Sequence, residues 1–303
     1  MNDQLLIKIS FPLLLLFYLF TSCTEKVKTT EVLKKPGWED LIDKNLSKWD
    51  SYLSYQHKEG YEGDMPLDEE GNELAPIGLN PAGYEVFQTI REGEETVIQV
   101  SGEYYGCLVS KEEYQNYHLQ LQFKWGDKKW VPRKKLLKDS GVLYHSIGPL
   151  GAEHWRTWML SQEFQIMEGH TGDYWNQATS AMDIRAYVPE YIMNPMAHSS
   201  QDYLHIGEEG PYKNYCLRSS NFENAHGEWN TLDLICYEDK SLHIVNGEVV
   251  MILKNSRYLD ETGAFLPLTK GKLQLQSEAA EIFFKGIRIA QLDKMPEKYL
   301  PYF

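Results

Sequence analysis

The chain has few cysteines for its length and no apolar run long enough to cross a bilayer as a helix. Four cysteines occur in 303 residues, and one of them, Cys23, ends an apolar leader. The other three, Cys107, Cys216 and Cys236, allow at most one disulfide even in an oxidising compartment. A chain of this size can bury a large core without disulfides. We therefore expect Cys107 and Cys236, which lie in strand-like runs, to be small buried side chains.

Positive charge is also scarce. Thirty Lys and Arg residues stand against 44 Asp and Glu residues, which gives a formal net charge of −14. The only basic run is Arg133-Lys134-Lys135. Because nucleic-acid binding depends on clustered positive charge, we expect no nucleic-acid partner. Tyrosine and tryptophan are abundant, which suits both stacking against sugars and the interior of β-sheets.

The N-terminal segment indicates export. Lys8 precedes the apolar run 9–20, which is about a dozen residues long, whereas a bilayer-spanning helix needs roughly 20. The run ends at Thr21-Ser22-Cys23, and small residues directly before a cysteine are typical of a bacterial lipobox. The leader is therefore interpreted as a signal peptide that is removed, not as an anchor helix.

We interpret residues 1–23 as a lipoprotein signal peptide, Cys23 as the lipidation site and residues 24–36 as a tether. This predicts a protein attached to a membrane through its N-terminal lipid, in a bacterial cell envelope, facing the periplasm or on the outer membrane. The alternative is an ordinary signal peptide cleaved near Ser22.

Alternating apolar and polar residues, as in the run 118–125, predict β-strands along most of the chain. Helical periodicity is almost absent. The dipeptide Asn246-Gly247 between two apolar runs predicts a hairpin, and we expect residues 272–276 to pair with 281–289. This pattern predicts an all-β fold, a two-sheet antiparallel jelly-roll sandwich that spans residues 37–303 as a single domain. The residues expected between the sheets are Leu119, Leu121, Phe123, Phe164, Ile166, Leu232, Leu234, Leu273 and Leu275.

Two long segments interrupt the strand pattern, near residues 54–84 and 185–228. Loops of that length are uncommon in compact domains unless they build sites or lids. We expect residues 185–228 to pack over the concave face and narrow its cleft toward small glycosides. Residues 54–84 are either a second loop of this kind or a disordered insert.

The segment 161–175 carries polar groups along one face of a predicted strand. Phe164 and Ile166 point to one side of an extended chain, and Glu163 and Gln165 point to the other. Polar residues at such positions are usually solvated. A carboxyl group at mid-sheet among aromatic residues can instead bind a sugar or move a proton, because burial raises its pKa.

The same strand runs into a glycine-containing turn that gathers Glu168, His170 and Asp173. These three groups either bind a divalent metal or form a hydrogen-bonded turn. Tyr174 and Trp175 follow, and they either form a platform for a sugar ring or fill the core.

Six segments, taken in order, resemble the 3-keto-disaccharide hydrolase domain family. They are the opening 37–49, the Ser-Gly strand 139–145, the Glu-Phe-Gln-Ile strand 163–166, the Gly-Glu-Trp-Asn sequence 227–230, the hairpin 246–247 and the closing strands 275–278 and 287–289. The resemblance covers Gly37 to about Leu292. Two departures are that Asp139 replaces the usual Asn and that Glu278 stands where shorter members often have His.

The resemblance implies a concanavalin A-like jelly roll that acts on an oligosaccharide or glycoside whose C3 hydroxyl is oxidised to a ketone. A C3 ketone acidifies the C2 proton, so a base can remove that proton and the aglycone can leave from C1. Water can then add at the glycosidic carbon, which gives net hydrolysis. This reaction needs a base, a group that holds the enolate and an acid for the leaving oxygen, with a divalent metal as an optional cofactor.

Within this chemistry each candidate residue has an expected role. The catalytic candidates are Glu163, His145 and His170, although His145 is equally compatible with a packed, hydrogen-bonded histidine. The substrate-binding candidates are Gln165, Glu168, Asp173, Tyr174, Trp175, His198, Gln276 and Glu278. The metal-binding candidates are Glu168, His170 and Asp173.

Two other functions remain open. Ordinary jelly-roll glycosidases can place three carboxylates at alternate positions of one strand, and here Gln165 and Met167 break that pattern. A lectin-like lipoprotein would bind glycans without cleaving them, and the same fold hosts both roles.

The lipobox predicts that Cys23→Ala releases the protein from the membrane or blocks its maturation. Fractionation of a Gram-negative host should find the wild type in the membrane fraction and the variant elsewhere, or retained as a precursor. Equal membrane partition of the two proteins would contradict the lipidation hypothesis.

Overall fold

Strands make up nearly all of the regular structure. The computed structural model describes residues 37–61 and 63–303; the predicted leader, Cys23 and the tether 24–36 lie outside them. Two short 3-10 helices, Arg133–Lys135 and Glu297–Tyr302, are also present. The strands are β1 (Trp38–Asp40), β2 (Trp49–Leu53), β3 (Gly78–Leu79), β4 (Phe87–Glu92), β5 (Glu95–Val100), β6 (Gly106–Ser110), β7 (Tyr117–Lys129), β8 (Asp139–Ile147), β9 (Leu160–Met167), β10 (Tyr174–Gln177), β11 (Ser180–Tyr187), β12 (Met196–Ala197), β13 (Tyr203–Gly207), β14 (Tyr215–Cys216), β15 (Asn230–Tyr237), β16 (Lys240–Val245), β17 (Glu248–Leu259), β18 (Phe265–Pro267), β19 (Lys272–Ser277) and β20 (Ala280–Gln291).

The described strands form two antiparallel sheets. The first sheet has the order β12-β11-β17-β16-β15-β7-β20-β5-β4, with β1 on β20, β13 on β11 and β18 on β17. The second sheet has the order β14-β10-β9-β8-β19-β6-β2-β3. The predicted fold class, an all-β two-sheet antiparallel jelly roll, is confirmed.

One apolar core fills the space between the sheets. All nine residues predicted for this layer belong to it, from Leu119 on β7 to Leu275 on β19. Phe164 is 1% exposed and its ring stacks on His243 of the first sheet, with centroids 4.2 Å apart. Burying apolar side chains from both sheets is the main force that holds them together.

The hairpin at Asn246-Gly247 is confirmed. Both residues have positive φ, 51° and 90°, which is the conformation that a two-residue type I′ turn requires. The turn joins β16 to β17, and Val245 pairs with Glu248 across it.

The expected pairing of residues 272–276 with 281–289 is wrong. β19 lies in the second sheet between β8 and β6, whereas β20 lies in the first sheet beside β7 and β5. The short connection between them crosses from one sheet to the other, and Ala279 in it adopts a positive φ of 55°. Alternation predicts that both runs are strands, but it carries no information on which sheet each one joins.

The two long segments contribute short strands and loops to the sandwich. Residues 185–228 contain β12, β13 and β14, of which β13 extends the first sheet at β11 and β14 extends the second at β10. These strands extend the edges of the sheets, and the packing of the segment over the concave face stays a prediction. Residues 54–61 instead pack on the second sheet, where the Ser54 amide donates to the Tyr105 carbonyl at 2.9 Å.

The three described cysteines, Cys107, Cys216 and Cys236, are free and buried, which confirms the prediction for Cys107 and Cys236. Burial raises the pKa of each of these thiols. Within residues 37–61 and 63–303, helices of the length and hydropathy needed to span a membrane are absent.

The position of Phe164 predicts a large stability effect. Phe164→Ala should lower the free energy of unfolding by about 3 to 5 kcal/mol, because it opens a cavity between the sheets. Phe222→Ala, at a side chain that is 38% exposed, is the control and should change it by less than about 0.5 kcal/mol. Urea denaturation measures both, and equal effects would contradict the proposed core.

Candidate functional site

Three adjacent strands of the second sheet, β9, β8 and β19, present a compact set of residues on the face opposite the core. On β9 the face alternates as predicted, because Phe164 and Ile166 belong to the core and Glu163 and Gln165 do not. Strand pairing fixes nine outward positions in three rows, and we call them the polar grid. Each row names the residue of β9, then that of β8, then that of β19, except that Glu278 directly follows β19. The first row is Met167, Asp139 and Glu278, the middle row is Gln165, Gly141 and Gln276, and the third row is Glu163, Leu143 and Gln274.

Gly141 occupies the centre of the polar grid. A Cβ atom at this position would collide with the Oε1 atoms of both Glu163 and Gln276. The backbone of Gly141 is outside the left-handed region, so space and not conformation requires glycine here. The absent side chain lets Glu163, diagonal to Gly141, and Gln276, directly beside it, lean over the middle strand and meet.

Glu163 is buried and hydrogen-bonded. Its residue is 2% exposed, and Gln177 donates from Nε2 to its Oε2. Burial raises the pKa of Glu163 well above its ordinary value, and repulsion from Glu278 adds to this rise. Hydrogen bonds from Gln177 and Gln276 oppose it. The group is thus able to hold a proton at a pH where a solvated glutamate is ionised.

One guanidinium group forms ion pairs with two further buried carboxyl groups. Arg133, from the 3-10 helix Arg133–Lys135, forms ion pairs with Asp139 and with Glu278, the latter at 3.0 Å. Burial raises the pKa of both acids, and mutual repulsion adds to this for Asp139, while Arg133 acts in the opposite direction. Glu163 is a third buried acid on the same face, and the ion pairs of Arg133 do not include it.

Several oxygens of the polar grid lack a hydrogen-bond partner among the described residues. They are Oδ1 of Asp139, Oε1 of Gln165 and Oε1 of Gln276, and all three are buried. Buried acceptors normally have partners, since an unpaired one costs free energy. Three such acceptors around one glycine form a set that hydroxyl groups of a sugar can satisfy.

An apolar cluster lies beside the polar grid and explains the desolvation. Leu143 of the grid packs in it with Tyr105 and Trp158. The side chain of Arg133 hydrogen-bonds the Tyr105 hydroxyl group. The carboxyl groups are therefore next to aromatic rings and not next to bulk water, which disfavours their ionised forms.

Glu153 is a buried acid that sequence reasoning missed. Its carboxyl group accepts backbone hydrogen bonds from Thr157 at 2.6 Å, from Trp158 at 3.1 Å and from Trp155. Burial raises its pKa to about 7 despite these three bonds. The missed signal is the spacing, since an acid two to five residues before a turn can cap that turn's amides.

The structure does not bring His145 to the site. A bulge follows Tyr144, and His145 has a positive φ of 53°. Its ring lies edge-on to Tyr117 and Tyr144, two residues of the interlayer core. Burial lowers its pKa to about 4. The ring is packed as the packed-histidine interpretation expects, but hydrogen-bond partners for its two nitrogens are absent among the described residues. The catalytic interpretation does not fit this position.

Tyr174 also lies away from the site, whereas Trp175 lies next to it. Tyr174 is fully buried and donates from its hydroxyl to Gln162 Oε1 at 2.6 Å, so it fills the core. Trp175 is directly opposite Glu163 on β10 and stacks on Tyr215, with centroids 4.6 Å apart. Only Trp175 can serve as a platform for a sugar ring.

The turn after β9 does not gather a metal site. Asp173 forms an ion pair with Arg218 at 2.9 Å, and His170 contacts both residues. The Glu168 carboxylate lies 4.0 Å from Lys138 instead. Among the residues that the structure describes, three or more His, Cys, Asp or Glu side chains are nowhere arranged to hold a metal ion. Asp173 and His170 thus contact Arg218, whereas the metal hypothesis needs their side chains to be free to bind a metal ion.

His198 lies in a different cavity from the polar grid. That cavity is near β12 and β17, and its lining includes Arg185, Ser219 and Met251. The His198 ring accepts or donates a hydrogen bond at Ser200 Oγ, at 2.9 Å. Of the substrate-binding candidates, Gln165, Gln276 and Glu278 lie in the grid with Glu163, and His198 does not.

Residues 37–290 match the family described as the 3-keto-α-glucoside-1,2-lyase-like domain. The chain belongs to this family. Membership of the 3-keto-α-glucoside-1,2-lyase-like family makes it a carbohydrate-active protein in the general sense. A search of the curated proteins finds no match.

Three solved structures illustrate what the chain is similar to. A proposed glycosyl hydrolase from Parabacteroides distasonis aligns with a TM-score of 0.45 and 17% identity over 85% of this chain and 94% of the other. LamAcat from Zobellia galactanivorans aligns with a TM-score of 0.39 and 13% identity over 80% of this chain and 91% of the other. A carbohydrate-binding module from Bacillus subtilis aligns with a TM-score of 0.36 and 8% identity over 68% of this chain and 92% of the other.

The geometry around Gly141 predicts coupling between two substitutions. Gly141→Ala should lower the free energy of unfolding by about 1 to 3 kcal/mol, because the new methyl group displaces Glu163 and Gln276. Gln276→Ala removes one of the clashing groups, so the double variant should lose less than the sum of the single losses. Denaturant titration of all four proteins measures this, and strict additivity would contradict the described approach.

Proposed function

We propose that the chain cleaves 3-keto-glycosides by removing the C2 proton of the sugar and expelling the aglycone from C1. The base takes the proton, the electron pair of the C2–H bond forms a C2=C3 double bond, and the π pair of the C3 carbonyl moves onto its oxygen to give the enolate. Collapse of the enolate breaks the bond from C1 to the aglycone oxygen, which takes up a proton from an acid. Addition of water to the resulting enone then gives net hydrolysis.

The observation that carries the proposal is the buried carboxyl group of Glu163 above Gly141. A base that removes a carbon-bound proton works best when its pKa is near the working pH. Burial and the neighbouring Glu278 move the pKa of Glu163 in that direction. Glu163 is therefore assigned as the base.

The paired acids supply the remaining groups. Asp139 and Glu278 share Arg133, and burial favours a proton on this pair, so one of them can protonate the leaving oxygen. The guanidinium of Arg133 places positive charge beside the position where the enolate develops. These roles replace those first expected for His145 and His170.

The amide side chains orient the sugar. Gln165 and Gln276 each present a buried oxygen that lacks a protein partner among the described residues, and both flank Gly141. Sugar hydroxyl groups donate to such oxygens, while the stacked pair of Trp175 and Tyr215 offers an apolar surface for a ring. β9 carries Gln165 and Met167 where an ordinary glycosidase would carry acids, which supports elimination over paired-carboxylate hydrolysis.

We also propose that this reaction takes place at the bacterial cell envelope, with the domain attached through lipid on Cys23. A divalent metal that assists the enolate is a separate hypothesis, for which a chelator is the test. The lectin-like function predicts that the same face binds 3-keto sugars without cleaving them.

Replacing Glu163 by glutamine tests the assignment. Glu163→Gln keeps the size of the side chain and one acceptor oxygen but removes the titrating group, so turnover of a 3-keto-glucoside should fall about a hundredfold to ten-thousandfold. Glu261→Gln, at an exposed residue in the turn between β17 and β18, is the matched control and should keep turnover near that of the wild type. Product release is followed by chromatography, with and without chelator.

Full turnover by Glu163→Gln would show that the base lies elsewhere. Binding of the 3-keto-glucoside by the wild type without any cleavage would support the lectin-like function instead.

A further inference from the structure

A second cavity lies outside the polar grid, in the segment from Ser54 to Ile77. Its volume is about 580 Å³, within the range of roughly 300 to 1,000 Å³ that is typical of small-molecule sites. We call it the His57 pocket. Its lining includes His57, Tyr61, Leu67, Leu74 and Ala75.

Aromatic rings surround His57 at stacking distance. The His57 ring is stacked on Tyr105, with centroids 3.7 Å apart and planes at 22°. Tyr61 lies 4.1 Å from it on a tilted plane, and Trp155 lies 5.7 Å from Tyr61. Leu67 and Leu74, 49% and 42% exposed, add apolar surface at the pocket. Such walls favour a flat apolar ring as ligand.

The polar groups of the pocket lack partners among the described residues. His57 is 4% exposed, and hydrogen-bond partners are absent for both of its ring nitrogens and for the buried hydroxyl of Tyr61. Burial lowers the pKa of His57 to about 4. At neutral pH its ring therefore carries one donor and one acceptor. A ligand hydroxyl group, which both donates and accepts, matches this pair.

We infer that the His57 pocket binds an aromatic ring that bears a hydroxyl group, a phenol-class ligand. The ring stacks within the aromatic wall, and its hydroxyl pairs with His57 and Tyr61. Binding itself does not rest on the proposed reaction. The phenolic ring has two sources, the aglycone of a glycoside substrate or a free phenol, and only the first source rests on the proposed function.

Titration of the full chain with 2-naphthol, followed by its fluorescence, tests the inference, with naphthalene as the probe that lacks the hydroxyl. His57→Phe keeps a ring for stacking on Tyr105 but removes both nitrogens. It should weaken 2-naphthol binding about threefold to tenfold, the usual value of one hydrogen bond, and leave naphthalene binding unchanged. His198→Phe, in the other cavity, is the matched control and should bind both probes as the wild type does.

Ala75→Trp places a bulky ring in the pocket wall and should weaken both probes at least tenfold. Thermal unfolding of each variant shows that it is folded. Saturable binding of 2-naphthol that is unchanged in both His57→Phe and Ala75→Trp would overturn the inference, as would the absence of binding to the wild type.

Two glycosides distinguish the sources of the ring. If the aglycone occupies the pocket, Ala75→Trp should raise KM for 2-naphthyl 3-keto-glucoside and leave KM for the methyl 3-keto-glucoside unchanged. If Ala75→Trp abolishes 2-naphthol binding but changes KM for neither glycoside, the ligand is a free phenol. If neither glycoside is turned over, the proposed function fails, and the 2-naphthol titration still decides the pocket.

Discussion

The site depends on three acids and one arginine that are held together out of water. Asp139, Glu163 and Glu278 are buried on one sheet face, and Arg133 is the cation paired with two of them. Burying an ionised group costs several kcal/mol, and one guanidinium cannot compensate three carboxylates. Burial therefore raises the pKa of all three carboxyl groups, so the cluster holds a proton more readily than three solvated acids would. A cluster in this state can both accept and donate protons, which is what an elimination reaction requires.

The sandwich makes this costly arrangement tolerable. Glu163 is next in sequence to Phe164, which packs between the sheets. The stacking of Phe164 on His243 fixes β9 against the first sheet. A rigid strand holds the side chain of Glu163 over Gly141 without a flexible loop. Proteins often accept local instability at functional sites when the surrounding packing provides enough stability.

Strand periodicity made the shared face of Glu163 and Gln165 predictable. Glu163 and Gln165 were expected to share a face because side chains alternate along a strand, and they do. His145 was misplaced because a bulge after Tyr144 reverses the alternation, and a bulge leaves little trace in sequence. The central position of Gly141 was beyond sequence reasoning, because it depends on the register of β8 against β19, a strand more than a hundred residues later. Register of this kind is set by tertiary packing.

Exchange at C2 of the sugar tests the central claim most directly. Purified protein is incubated in D2O with a matched pair of substrates, a glucoside and its 3-keto form, and both are followed by NMR. The account predicts that deuterium enters C2 of the 3-keto sugar, in the released product or in recovered substrate, while the ordinary glucoside stays intact and unlabelled. Cleavage of both glucosides without deuterium at C2 would contradict it, because the bond would then break without removal of the C2 proton.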